Sequence, residues 1–559
     1  MRWIFFACTC LLSTIMQGQL LSAGTSYSRE DSLRGSIGAE RAWWNATYYD
    51  VSVRPDLLEQ SIAGQTEIHF TAIEEGQRMQ IDLQQPLKVD SILLINGSKG
   101  TMDQPGAKVA YVREGDVVWV DLPTPLAAGR ASILRIHYHG QPRIARMPPW
   151  DGGWVWAADR KGRPWVSVAC QGLGASVWYP CKDHQSDEPD DGASLRITIP
   201  DSLVGVGNGR LKDTVANDDG TTTWHWAVTS PINTYNIIPY IGKYVHFGEH
   251  HQGLQGRLDV DHWVLEDDLQ KAREHFKQVI PMLACFEEML GPFPWYADGF
   301  KLVQAPYLGM EHQSAIAYGN DFKMGYRGMD LSRSGHGNSF DYIIVHESGH
   351  EWYGNSITTA DIADMWVHEG FTVYTEVAYV ECIAGKEAGN EYLVGMRRNI
   401  VNDRPVIGPY GVNEEGSNDM YYKGAAVVHM VRAMMADDDA FWSMLRDMNR
   451  EYRHAIVTSA MIEDLLDQRV EYDLRPFFDQ YLRTTRVPRL EWRMEKRRLS
   501  YRWAGTLSTF SMPVDVLIDG VPIRLEPATE WKTLERRVRK RTDLLVDPRY
   551  YITSAKVGR

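Results

Sequence analysis

The sequence predicts a multidomain α+β protein: an N-terminal antiparallel β domain, a helix-rich central domain and a small C-terminal β-sandwich. Three observations predict it. The chain has 559 residues, more than one hydrophobic core organises, so two to four domains are expected. Apolar residues alternate with period two from about Thr47 to Phe247, and again from Val487 to Arg559. Between these stretches apolar residues recur at helical spacing.

Each element follows in order. Met1-Arg2 is a short basic start, Trp3 to Met16 is mostly apolar, and small residues follow at Gly18, Ser22, Ala23 and Gly24. That is the layout of a cleaved secretory signal over residues 1–24, which implies a periplasmic or secreted protein. A lipoprotein anchored through Cys8 or Cys10 is the weaker variant of this reading, and a short buried helix is its competitor. Residues 25–40 are polar and contain Ser and Gly, and they read as a flexible leader. The β domain spans 41–247, with alternation in Tyr49–Val53 and Leu134–Tyr138 and turn signals at Asn96-Gly97, Glu114-Gly115 and Asp219-Gly220. The central domain spans 248–486. It holds a helix that Gly291-Pro292 stops, and helical patterns at Asp364–Ala384, Lys423–Met435 and Phe441–Tyr452. Val514–Ile518 followed by Asp519-Gly520 marks a hairpin within the sandwich of 487–559.

Composition excludes several classes. A formal net charge of −14 argues against a nucleic-acid partner, which requires a basic surface. No apolar run of 18 residues follows the N-terminus, so no transmembrane helix is expected. Beyond the signal, four cysteines remain: Cys170, Cys181, Cys285 and Cys382. Cys170 and Cys181 are close enough in sequence to pair, or they stay as buried thiols. The absence of C-x-x-C excludes a cysteine zinc site of that kind and a dithiol redox motif.

The strongest chemical signal is His346-Glu347-Ser348-Gly349-His350, after the apolar run Tyr342–Val345. Residues four apart share one helix face, so both imidazoles can meet one ion, and zinc takes nitrogen ligands tetrahedrally. Glu347 sits one position round and can accept a proton from water held at the ion. H-E-x-x-H on a helix is a known metalloprotease pattern. A catalytic zinc needs a third protein ligand and an open fourth position. Glu369, within Trp366-Val367-His368-Glu369-Gly370-Phe371, is the candidate, and His368 then faces away.

These segments resemble the zinc aminopeptidase family that includes aminopeptidase N and leukotriene A4 hydrolase. The family has eighteen residues between the second histidine and the glutamate of W-x-x-E-G-F, and residues 351–368 supply them here. His350-Glu351-Trp352-Tyr353-Gly354-Asn355 is similar to the family's H-x-W-x-G-N. Leu308-Gly309-Met310-Glu311-His312 is similar to G-x-M-E-N, with Leu308 and His312 as departures. The resemblance implies that Glu311 holds the substrate's free α-amino group, with Gly309 and Met310 beside the bound peptide. Tyr421-Tyr422-Lys423-Gly424 is similar to Y-x-K-G, which makes Tyr421 rather than Tyr422 the donor to the oxyanion. Gln171, ahead of Trp178-Tyr179-Pro180-Cys181-Lys182-Asp183, occupies the place of a family residue that helps bind the amine. The implied fold has a thermolysin-like catalytic domain, and the implied cofactor is one Zn²⁺ per chain, held by His346, His350 and Glu369. The implied activity is removal of N-terminal residues from peptides with a free N-terminus, without the large helical lid that many relatives carry. An open-cleft endopeptidase, an epoxide hydrolase and a non-catalytic scaffold are the alternatives; Glu311 argues against the first, no lipid-pocket signal supports the second, and the intact residue set argues against the third.

Overall fold

The computed structural model describes residues 26–97, 106–535, 538 and 543–558, so the signal read at 1–24 lies outside the described residues. The N-terminal domain is built on an eight-stranded sheet centred on Trp44–Asp56 and Ser61–Ala72. These two strands pair antiparallel along their whole length. One pairing departs from the expected antiparallel pattern: Trp44–Asp56 runs parallel to Ala193–Pro200. No hairpin joins those two strands, and a long connection permits either direction. A three-stranded and a four-stranded sheet complete the domain over a core that includes Trp44, Tyr49, Ile68, Trp154 and Trp178.

The segment read as a flexible leader is instead ordered from Ser26. Residues Arg29–Gly35 form a helix whose Ser28 and Asp31 exchange capping bonds. A capping box satisfies two otherwise orphaned backbone donors, and its acid at the third position here is Asp rather than Glu. Arg34 donates to the carbonyls of Leu173 and Asp183, and Gly35 lies directly against the backbone of Val412 and Asn413. Tertiary contact therefore holds a helix too short to persist alone.

The central domain opens with a hairpin, Tyr244–Gly253 and Gly256–Leu265, that straddles the boundary expected at 247. The hairpin joins a five-stranded sheet whose far edge is the short strand Gly309–Met310. Helices Val279–Leu290, Tyr342–Gly349, Trp366–Ala384, Tyr422–Met435 and Asp438–Glu451 pack around that sheet. Gly291, at φ 97°, ends the first of them, as the Gly-Pro signal predicts. Cys285 and Cys382 form a disulfide between helices Val279–Leu290 and Trp366–Ala384, while Cys170 and Cys181 are separate buried thiols. The C-terminal region holds a four-stranded and a three-stranded sheet, and buried residues of both, such as Leu490, Trp503, Val516 and Leu544, share one core with the central domain. Among the described residues no helix is long and apolar enough to cross a membrane.

Candidate metal centre

Asp341 caps the helix Tyr342–Gly349 by accepting from the backbone of Ile343 and Ile344. Every residue of that helix is buried, which fixes its rotation against the core. His346 and His350 then point their Nε2 atoms toward Glu369, on helix Trp366–Ala384. Glu369 Oε2 lies 3.6 Å from His346 Nε2 and 3.4 Å from His350 Nε2, and it has no hydrogen-bond donor. Ligands bound at about 2.0–2.1 Å in tetrahedral geometry stand roughly 3.3–3.4 Å apart. The donor set of two imidazole nitrogens and one carboxylate oxygen therefore fits zinc in type and in spacing.

Further side chains aim these donors. His346 Nδ1 is 2.7 Å from Glu376 Oε1, whose other oxygen accepts from Tyr392 at 2.6 Å. His350 Nδ1 faces the Tyr353 carbonyl at 2.9 Å and Thr372 at 3.1 Å. Both contacts leave Nε2 free for an ion, the usual arrangement around ligating histidines. Burial disfavours a charged His346, yet Glu369 and Glu376 outweigh it and hold the imidazole well above its ordinary pKa. Burial likewise works against a charged Glu369, and His350 and His346 together hold it well below the carboxylate range. A field that favours a proton between these groups favours a cation there equally. His368 points away as expected and accepts from the Thr359 backbone at 2.9 Å.

The centre opens into a cavity of about 600 Å³. Glu347 lines it, and burial pushes its carboxyl up to about 7, with the imidazoles of His346 and His350 pulling the other way. The edge strand passes so close that a Cβ on Gly309 would stand 2.6 Å from Glu347 Oε1, so any larger residue there displaces the carboxylate or the strand. Met310 and Glu311 follow on the cavity wall. Glu311 is 3% exposed, and its Oε1 accepts from Gln171 Nε2 at 2.5 Å and Tyr235 OH at 2.8 Å. Asn355 holds the Glu311 carbonyl at 2.7 Å, which gives the asparagine of the H-x-W-x-G-N segment a physical role. The departure His312 is absorbed by Tyr240. That hydroxyl donates to the Ala315 carbonyl at 2.7 Å, so His312 Nδ1 donates to it at 2.6 Å, and burial keeps the imidazole neutral. Tyr421 lines the cavity with its ring 6.1 Å from that of His346, nearly parallel. Tyr422 also lines the cavity, and its charged neighbours are Glu376 and Glu369. Tyr421 reaches the centre because Gly370 and Gly424 meet: a Cβ on Gly370 would stand 2.9 Å from the Gly424 backbone. The structure thus brings together His346, Glu347, His350, Glu369, Gly309, Met310, Glu311, Gln171 and Tyr421.

The chain matches the model of the Peptidase M1 N-terminal domain over residues 45–236 and that of the Peptidase family M1 domain over 275–481. It belongs to peptidase family M1. This M1 chain is 24% identical over 444 residues to aminopeptidase B of Homo sapiens, covering 75% of the chain and 63% of that protein. It is 20% identical over 444 residues to leukotriene A-4 hydrolase of Xenopus laevis, covering 74% and 67%. The chain thus spans less than two thirds of the length of the aminopeptidase B it matches. An M1 zinc metallopeptidase from Deinococcus radiodurans shares the fold with a TM-score of 0.64 at 19% identity, over 81% of this chain and 96% of that one.

Three residues of the M1 site were not legible from its motifs. Glu376 lies seven positions after Glu369 on one helix, and that spacing alone places both on one face. Tyr235 lies in a short 3-10 turn with no motif around it. Glu415 lines the cavity beside Gly172, where burial raises its carboxyl, and only tertiary folding brings it there.

Proposed function

We propose that the chain is a zinc aminopeptidase that hydrolyses the first peptide bond of peptides with a free N-terminus. One observation carries the reading: the buried Glu311 carboxylate stands beside the metal centre. Acceptor atoms of Glu311, Glu347 and His350 all lie within 4.8 Å of one another. The α-nitrogen and carbonyl carbon of one residue are separated by about 2.5 Å. An ammonium held at Glu311 therefore delivers the first carbonyl, and no later one, to the centre. The aminopeptidase names among the matched relatives support the same reading.

A zinc ion bound by His346, His350 and Glu369 supplies a Lewis acid and lowers the pKa of water. Glu347 accepts the proton of the attacking water and passes it to the leaving amine as the C–N bond breaks. The Tyr421 hydroxyl donates a hydrogen bond to the oxygen that gains charge in the transition state. Glu311 takes the ammonium in a charge-assisted bond, with Gln171 and Tyr235 fixing its carboxylate. Export is part of the proposal: the apolar start supports it, and so does the Cys285–Cys382 disulfide, since disulfides persist in oxidising compartments.

The test compares free and N-acetylated peptides of one sequence. Stepwise loss of N-terminal residues by mass spectrometry, from the free peptide only, is expected. Early internal cuts in the acetylated peptide would replace the reading with an endopeptidase.

A further inference from the structure

Gln171, which donates to Glu311, sits in a tight turn. Gly174 N donates to the Cys170 carbonyl at 2.6 Å, and Leu173 N donates to that of Gln171 at 2.7 Å. Strand Pro164–Ala169 has ended before this turn, so its remaining carbonyls need partners from elsewhere. The Gly172 carbonyl accepts from Asn413 Nδ2 at 3.1 Å. The Leu173 carbonyl accepts from Gln84 Nε2 at 2.8 Å and from Arg34 Nη2 at 3.0 Å.

Arg34 grips the turn twice. Its Nη1 donates to the Asp183 carbonyl and lies 3.4 Å from Asp183 Oδ1. Asp183 Oδ2 accepts in turn from the backbone of Ser176, just past the turn, at 3.0 Å. A Cβ on Gly174 would stand 2.0 Å from Arg34 Nη2 and 2.2 Å from Asp183 Oδ2, so guanidinium and carboxylate close over the turn at that glycine. The helix Arg29–Gly35 that presents Arg34 is itself anchored. Arg41, fully buried, donates to the carbonyls of Arg34 at 3.3 Å and Ser36 at 2.8 Å, and Gln80 donates to that of Leu33 at 2.9 Å. This helix lies ahead of residue 45, where the matched N-terminal domain begins, so the grip on the turn comes from outside that domain.

We infer that Arg34 is a positioning residue for the amine subsite: with Asp183 it clamps the turn 171–174, holds the Gln171 amide against Glu311, and so sets how tightly the substrate's ammonium is bound. The inference rests on the aminopeptidase reading and deepens it. Gln171 and Tyr235 both donate to Glu311 Oε1, and two donors on one oxygen fix the direction of the carboxylate. With the turn slack, Gln171 withdraws and the carboxylate is left to swing on the Tyr235 bond. The ammonium contact exists before and during the reaction alike, so its weakening appears in KM rather than in kcat.

The test uses the full chain and an aminoacyl p-nitroanilide, with wild type, Arg34→Ala, Gln171→Ala and the double variant. Arg34→Ala should raise KM roughly five- to tenfold with kcat within about twofold, and Gln171→Ala should raise KM at least as much. In the Gln171→Ala background, Arg34→Ala should add less than about twofold, because the group it positions is gone. Arg34→Lys keeps the charge and loses the two-pronged donor, so KM should rise only about two- to threefold. Read in both backgrounds, Arg34→Lys carries the same comparison if Arg34→Ala does not fold. Three results would each overturn the inference and leave the aminopeptidase reading standing: an Arg34 variant that changes kcat and not KM, an effect that persists in full in the Gln171→Ala background, or a Gln171→Ala protein with wild-type KM. Wild-type protein that cleaves no p-nitroanilide would overturn both.

Discussion

Replacing Gly309 by alanine tests the assignment of Glu347 without touching Glu347. The added Cβ would stand 2.6 Å from Glu347 Oε1 and 2.8 Å from Ile343 Cγ2, where ordinary contact begins at 3.4 Å. The carboxylate or the strand must then retreat by about 0.8 Å. Ile343 is buried in the motif helix and cannot yield, so the displacement falls on the carboxylate and on the peptide-binding edge together. A misplacement of about 1 Å in a reacting group costs about 10²-fold in rate. The nearest atoms that this Cβ meets belong to Glu347 and Ile343 and not to His346, His350 or Glu369, so zinc content should hold. Overpacking by one methyl group should lower stability by about 1–3 kcal/mol. The assay is kcat on an aminoacyl p-nitroanilide, with zinc by mass spectrometry and Tm by calorimetry on the same preparation. A folded, zinc-replete Gly309→Ala protein with kcat within about threefold of wild type would refute the claim that this contact sets the position of the base.

Other outcomes follow from the same geometry. Purified protein should carry one zinc per chain, and His346→Ala should lose it; a His346→Ala protein with full zinc content would remove His346 from the ligand set. Glu376→Gln keeps the shape but weakens the grip on His346 Nδ1, so zinc affinity should fall roughly 10–100-fold in a chelator competition, and unchanged affinity would count against its orienting role. Tyr421→Phe should lower kcat about 10²–10³-fold with little change in KM, while Tyr422→Phe should be mild. The reverse order in the same rate assay would transfer the oxyanion role to Tyr422.

Most of the architecture was readable from periodicity, and the site from short motifs, because both are local. Helices Trp366–Ala384 and Tyr422–Met435 start within two residues of where apolar spacing places them, and both end as expected. His346, Glu347 and His350 share a helical turn, so sequence spacing dictates their geometry. What escaped was set by tertiary contact. The capped helix Arg29–Gly35 is short and polar, and it exists because Arg34 and Gly35 find partners more than a hundred residues away. Cys285 meets Cys382 because two helices pack, across a separation of 97 residues, and nothing local marks either thiol as the other's partner. Tyr235 and Glu415 belong to segments without periodicity, and only the fold carries them to the cavity.

The two glycines Gly370 and Gly424 show why separate motifs have to act as one. Gly370 directly follows Glu369, the proposed third ligand, and Gly424 lies three residues after Tyr421. Each removes a side chain from the same contact, where the two backbones approach to within Cβ distance. Had either position carried a side chain, the helices would stand further apart, and Tyr421 would withdraw from the centre while Glu369 stayed. The donor set for the metal and the donor for the oxyanion would then both be present and yet be misaligned. Glu369 and Glu376 lie on that same helix, so one element carries the proposed ligand and also orients His346. The distance between the proposed metal ligands and the Tyr421 hydroxyl is thus determined at a point where neither residue has any chemistry, by the absence of two β-carbons.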